Sequence, residues 1–151
     1  MVKILSDNGV GFVGATTVAE IGDSCVVLDE HMHASARNVY AAGDVALAHN
    51  VTAGRRIRAE HWRDAAQEGL VAGLTAAGFS AAWDQVPGFS CTIGDSVLKY
   101  RGWGSYETCR LVDNHNGFTV WYEAGGDVGV LTLNADEDHQ RADELLRALA
   151  R

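Results

Sequence analysis

Thiols are few in this sequence and none are paired. Its 151 residues hold three cysteines, Cys25, Cys91 and Cys109, with no Cys-x-x-Cys spacing. An odd, scattered set does not make a disulfide framework, so a reduced, cytoplasmic setting is expected. Basic residues are also scarce. Twelve Lys and Arg stand against twenty Asp and Glu, a formal net charge of −8. A nucleic-acid or anionic-membrane partner would want a basic face, so neither is expected. No charged start leads into a long apolar run, and Met1-Val2-Lys3-Ile4-Leu5 is too short to be one. Neither a secretory signal nor a transmembrane helix is predicted. There is one proline, Pro87. What is plentiful is apolar: 47% of residues are hydrophobic, enough for a real core in one ordinary domain or two small ones.

The stretch that organises the chain is Val39-Tyr40-Ala41-Ala42-Gly43-Asp44-Val45-Ala46. A short apolar run ending in small residues, a glycine and an acid predicts a buried strand over 39–42 that brings its backbone close to a ligand and then turns. At the carboxyl end of a parallel strand, Asp44 would accept hydrogen bonds from a sugar or polyol hydroxyl. The same octet also fits a plain strand-to-loop turn in which the acid caps the next segment.

Upstream, Gly9-x-Gly11-x-x-Gly14 has the spacing of a dinucleotide-binding turn, but the fingerprint needs a helix opening at the third glycine. Residues 16–22 would make only a short, β-branched one. Residues 25–28 and 31–35 read as short strands. His31 and His33 point the same way on such a strand, as a metal pair requires, yet no third ligand is evident and solvent-facing polar positions account for them. Residues 47–54 read as a loop, and Arg55-Arg56-Ile57-Arg58 as a basic turn or a contact for phosphates or an acidic partner.

From about 57 to 77, Trp62, Ala65, Ala66, Leu70, Val71 and Leu74 recur at helical spacing, and Gly78 stops the run. Gly69 and Gly73 lie four apart, suggesting close packing against a sheet at a cost of about 1 kcal/mol each relative to alanine. Beyond Pro87 the pattern changes to short strands over 97–103, 109–113, 117–122 and 127–133. Asn114-His115-Asn116-Gly117 and Ala124-Gly125-Gly126-Asp127 supply turn chemistry between them. Residues 136–151 form an amphipathic helix with Leu145, Leu146 and Leu149 on one face. Its first turn carries Asp136, Glu137 and Asp138 and its last carries Arg147 and Arg151, as a helix dipole favours.

The residues from Val26 through Asp29-Glu30-His31-Met32-His33 to Gly43-Asp44-Val45-Ala46, followed by Glu60-His61-Trp62-Arg63-Asp64-Ala65-Ala66-Gln67-Glu68-Gly69, resemble the late FAD-binding segment of flavin-dependent pyridine-nucleotide oxidoreductases. The second stretch narrows this to the ferredoxin-reductase-like branch, which includes putidaredoxin and rhodocoxin reductases. The resemblance runs from about residue 23 to the C-terminus. It implies an α/β remnant of an FAD-binding domain over residues 1–82, then a small α+β interface domain over 83–151, an antiparallel sheet plus a C-terminal helix. By the same resemblance, Gly43 and Asp44 meet the ribityl chain of FAD. The helix after Trp62 aims its positive end at the flavin's pyrimidine edge, where negative charge collects on reduction. Glu60, His61 and Trp62 border the isoalloxazine and nicotinamide positions. Phe89-Ser90-Cys91 matches a Phe-Trp-Ser stretch that reaches towards the flavin, with Ser90 in place of the tryptophan. Considered alone, Trp62 fits an aromatic on a core-facing helix turn better than a flavin contact, and Cys91 fits a structural cysteine better than a nucleophile.

The resemblance implies FAD and NAD(P)H as cofactors of the full-length enzyme and a ferredoxin-type electron acceptor. Its redox-disulfide branch is excluded by the cysteine spacing. Family members carry two glycine-rich dinucleotide folds ahead of the segment present here, and this chain has neither. It is therefore expected to be a C-terminal fragment, carrying half-sites of the flavin pocket, that does not oxidise NADH alone. It would be completed by the missing N-terminal portion or by homo-oligomerisation. The alternative is a free-standing dimerisation or interaction module without bound flavin.

Overall fold

Two-residue turns and a run of β-branched and aromatic residues set the larger sheet. In this computed structural model, which describes residues 21–22 and 25–149, five antiparallel strands lie in the order β5-β6-β9-β8-β7. They are β5 (Gly88–Ile93), β6 (Ser96–Gly102), β7 (Thr108–Asn114), β8 (Gly117–Glu123) and β9 (Asp127–Leu133). Asn114 pairs with Gly117 across the His115-Asn116 turn. Only glycine fits at 117, because a Cβ there would lie 1.8 Å from the Leu133 carbonyl oxygen. Asn134, at φ 50°, ties two hairpin ends together. Its Oδ1 accepts the Val97 N–H, and its amide donates to Asn116 O and Ser96 Oγ.

The smaller sheet has the order β1-β2-β3-β4, formed by β1 (Ile21–Gly22), β2 (Cys25–Leu28), β3 (Ala46–Asn50) and β4 (Arg55–Ile57). Strands β2 and β3 are parallel, with Val26 opposite Ala46. Buried Asn50 shapes the β3–β4 turn by accepting the Thr52 and Ala53 N–H groups, and donates to Gln85 O. Residues 47–54 are thus largely strand and turn, and the basic 55–57 stretch is an edge strand, although both look like loop in the sequence. Ala-Leu-Ala-His-Asn has too little β preference to announce a strand that tertiary pairing nevertheless forms.

Helix α1 (Trp62–Ala76) follows β4, and helix α2 (Asp136–Leu149) ends the described chain. The predicted start of α1 near 57 is corrected to Trp62: residues 55–57 pair with β3 and the His61 side chain caps the helix. Gly78, at φ 86°, ends it as expected. Helix α2 packs Ala142, Leu145 and Leu146 onto the larger sheet, where Trp121 and Val130 are buried. One core cluster joins Leu28, Met32, Ala46, Ala48, Ile57 and Val71 to Trp83, Val86, Trp103 and Leu146. The Trp103 indole donates to Leu146 O at 3.2 Å.

Residues 31–35 are not a strand. His33 and Ala34 make isolated bridges to Tyr40 and Leu28, because the Asp29 carboxylate accepts the His31 and His33 N–H groups and curls the chain there. The glycine-rich stretch at 9–14 lies outside the described residues. No helix among those described is long and apolar enough to cross a membrane.

Candidate functional site

Helix α1 turns most of the apolar positions picked out by its spacing outwards, and of them buries only Val71 among the described residues. Trp62 is 73% exposed and Leu70 58% exposed, and Ala66 and Leu74 also face outwards. The expected packing of Gly69 and Gly73 is absent among the described residues, where a Cβ at either position would meet nothing within 4 Å. The buried face carries Asp64, Glu68 and Val71. Hydrogen bonds make this arrangement tolerable, since a buried carboxyl without a donor costs several kcal/mol, on the order of 2–7. Asp64 accepts the Gly88 N–H, with Oδ2 at 3.1 Å. Glu68 Oε2 accepts the Gly43 N–H at 2.7 Å.

These two acids, one turn apart, hold two loops against one helix. Gly88 opens β5, where a Cβ would sit 2.2 Å from the Tyr100 carbonyl oxygen. Gly43 sits at φ 81° with Ala65 Cβ beside it. That positive φ turns the chain, the Ala46 N–H closes on Gly43 O at 2.7 Å, and pairing with β2 starts at Ala46. The strand predicted over 39–42 is corrected accordingly: those residues make one bridge, through Tyr40, and the strand follows Asp44 instead of preceding it. Asp44 is exposed at the amino end of the parallel pair.

At the other end of the helical face lies a cleft of ≈ 520 Å³. Its walls include Glu60, His61, Asp64, Gly88, Phe89, Tyr100 and Trp103. His61 caps α1 by accepting the Arg63 N–H at 3.3 Å. Its ring lies 6.3 Å from that of Phe89, which stacks on Tyr100 at 5.4 Å. Glu60 pairs with Arg58 at 2.6 Å near the rim. Of the six residues singled out from sequence, Glu60, His61 and Phe89 therefore share a cleft. Gly43 and Asp44 adjoin the same helix about one turn, ~5 Å, further along. Trp62 points outwards and does not line the cleft.

Burial raises the Asp64 carboxyl above its ordinary range, against the lowering effects of the Gly88 N–H, Arg63, His61 and Arg101. Burial likewise pushes Glu68 up to about 7; the Gly43 N–H opposes this, and neighbouring Asp64 and Asp44 reinforce it. Neither Asp64 nor Glu68 stands out in the sequence, where acids on an amphipathic helix read as its wet face. Arg101 on β6, held by Asp143 at 2.9 Å, is among the charges acting on Asp64.

Ring-lined walls beside a helix amino end fit a planar heterocycle that takes on negative charge, and an exposed carboxylate on a glycine turn fits a hydroxyl-bearing chain. Among the described residues no glycine-rich turn opens a helix to receive a diphosphate.

The fold is similar to part of several solved reductase structures, among them ferredoxin-type and FAD-dependent pyridine nucleotide reductases. The covalent putidaredoxin reductase–putidaredoxin complex matches with a TM-score of 0.74 and 22% identity, over 84% of this chain and 31% of the other. A ferredoxin reductase from Rhodopseudomonas palustris matches at 0.71 and 21% identity, over 97% and 35%. An FAD-dependent pyridine nucleotide-disulphide oxidoreductase from Desulfovibrio vulgaris matches at 0.69 and 16%, over 87% and 36%. The chain spans about a third of the length of these structures, and identities this low speak for the fold alone. No protein-family model and no curated protein matches the sequence.

Proposed function

We propose that this chain is the C-terminal segment of an FAD-dependent NAD(P)H oxidoreductase of ferredoxin-reductase type. It supplies the wall that faces the ribityl chain and isoalloxazine ring of the flavin. The observation that carries this reading is that one helix holds both the Gly43–Asp44 turn and, about a turn away, a cleft walled by Glu60, His61 and Phe89. A ring bearing a polyhydroxyl chain has that layout. Asp44 would accept the chain's hydroxyls, His61 and Phe89 would flank the ring, and the α1 dipole would favour negative charge on it. Bound flavin supplies the hydride chemistry.

Phosphate and adenosine contacts provide much of a dinucleotide's binding free energy, so the chain alone is expected to bind FAD weakly and to leave NADH unoxidised. The rest of the reductase fold would complete the site, and a ferredoxin-type protein would accept the electrons. The second reading, an interaction module without flavin, draws on the outward apolar stripe of α1. Titrating FAD with the chain separates the two. Quenching of flavin fluorescence at high micromolar protein, lost in Asp44→Ala and in Phe89→Ala, supports the flavin wall. Equal quenching by wild type and both variants, or none by any, favours the module. Steady NADH turnover by the chain with added FAD would overturn its dependence on the remaining fold.

A further inference from the structure

Glu68 is wholly buried in the middle of α1, 0% exposed, yet among the described residues it packs against neither an arginine nor a lysine. One carboxyl oxygen accepts the Gly43 N–H at 2.7 Å. The other, Oε1, is buried and has no hydrogen-bond partner among the described residues. One acid-to-amide hydrogen bond thus ties the Gly43–Asp44 turn to the helix. Alanine or leucine at 68 would keep the helix but leave the Gly43 N–H facing an apolar surface, and a buried unpaired donor is costly.

We infer that Glu68 is the positioning residue of the Gly43–Asp44 turn, holding it on α1 through the Gly43 N–H and so deciding where the Asp44 carboxylate is presented. That Asp44 meets a polyhydroxyl chain rests on the flavin reading above; that Glu68 sets the turn does not. The contact survives in both protonation states, because the carbonyl oxygen of a neutral carboxyl still accepts an N–H. The two states nevertheless differ in what they do to the turn. The neutral form places no charge beside Asp44. The ionised form bonds the Gly43 N–H more strongly and repels Asp44, its neighbour in the turn, and Asp64, one helical turn away. These two carboxylates are the charged groups acting on Glu68. Asp64 in turn is influenced by Arg63, His61 and Arg101, so the cleft end of the helix and the turn are linked electrostatically through the acid pair.

Amide NMR on the full chain between pH 5 and 9 tests this directly. In wild type, the Gly43 amide resonance is expected to be displaced downfield and to titrate with a midpoint near the Glu68 value, about 7. Glu68→Gln keeps an acceptor oxygen, so Gly43 should stay downfield and lose its titration. Glu68→Ala should move Gly43 upfield and raise its hydrogen-exchange rate at least tenfold relative to core amides. If Glu68→Ala fails to fold, the wild-type and Glu68→Gln titrations decide the matter. A Gly43 resonance that keeps its position in Glu68→Ala, or that is not displaced downfield in both wild type and Glu68→Gln, overturns the proposal. A parallel riboflavin titration adds the ligand arm: affinity should fall about tenfold in Glu68→Ala and be restored in Glu68→Gln. Should riboflavin bind none of the three proteins while the Gly43 behaviour holds, the flavin reading fails and the positioning role stands.

Discussion

Replacing Glu68 by glutamine should change how stability depends on pH, and the size of the change follows from the structure. The carboxyl moves from an ordinary 4.5 to about 7 on folding because it is desolvated. A group whose pKa is raised in the folded state contributes stability that is complete below its unfolded value and is lost as pH rises through the folded one. Between pH 4.5 and about 7, Glu68 should therefore withdraw about 1.36 kcal/mol per pH unit, or about 3 kcal/mol in all. Wild type alone would hide much of this. Burial, with Arg101 and Lys99 alongside, pushes His139 from 6.5 down to about 4. A group depressed in that way contributes stability present above 6.5 and lost as pH falls through about 4, so the two slopes oppose each other across most of the same window. The difference between wild type and Glu68→Gln isolates the glutamate, since His139 is common to both. Urea unfolding followed by tryptophan fluorescence, at about pH 4 to 8, should show the variant gaining about 3 kcal/mol on wild type across that range. That gain corresponds to roughly 6–12 °C in Tm for a chain of this size. A difference that stays flat to within about 0.5 kcal/mol would show that Glu68 is ionised, or solvated, in the folded protein, and would refute the reasoning.

Two further expectations concern packing. Gly117→Ala should cost about 2–4 kcal/mol in urea unfolding, because its Cβ would sit 1.8 Å from Leu133 O and the β8–β9 ladder must shift to admit it; unchanged stability would show that this crossing yields freely. Leu70→Glu, on the outward face of α1, should leave stability within about 0.5 kcal/mol of wild type while weakening self-association or assembly with a reductase partner in sedimentation velocity; a loss of several kcal/mol would mean that Leu70 is covered within the chain.

Much of the larger sheet is legible in the amino-acid order. Alternation in 97–103 and 117–122, the Asn114 to Gly117 turn and the acidic start of α2 are local signals, and local signals survive in sequence. Strand β5 escapes such a reading because five of its six residues, Phe89 to Ile93, are exposed and show no alternation of burial that the sequence could mirror. Strand β3 escapes it for its alanines. At the candidate site, Gly43, Asp44, Glu60, His61 and Phe89 can be singled out only through resemblance and turn chemistry. Tyr100 and Trp103, which line the same cleft, lie on and just after a strand whose own pattern says nothing about which cavity it faces.

The sequence by itself determined the two helices, strands β2 and β6 to β9, where glycine had to turn the chain, and the resemblance to flavin-dependent reductases. The tertiary structure alone decided which side of α1 is buried. Periodicity distinguishes two faces of a helix but does not say what lies across from either. Here the apolar stripe with Trp62 and Leu70 faces outwards, while Asp64 and Glu68 face inwards. Two carboxyls can be buried there because backbone N–H donors reach them from Gly88 and Gly43, 24 and 25 residues away along the chain. No local window contains both partners of either bond, and so the acid pair that organises the site could be recognised only once the chain was folded.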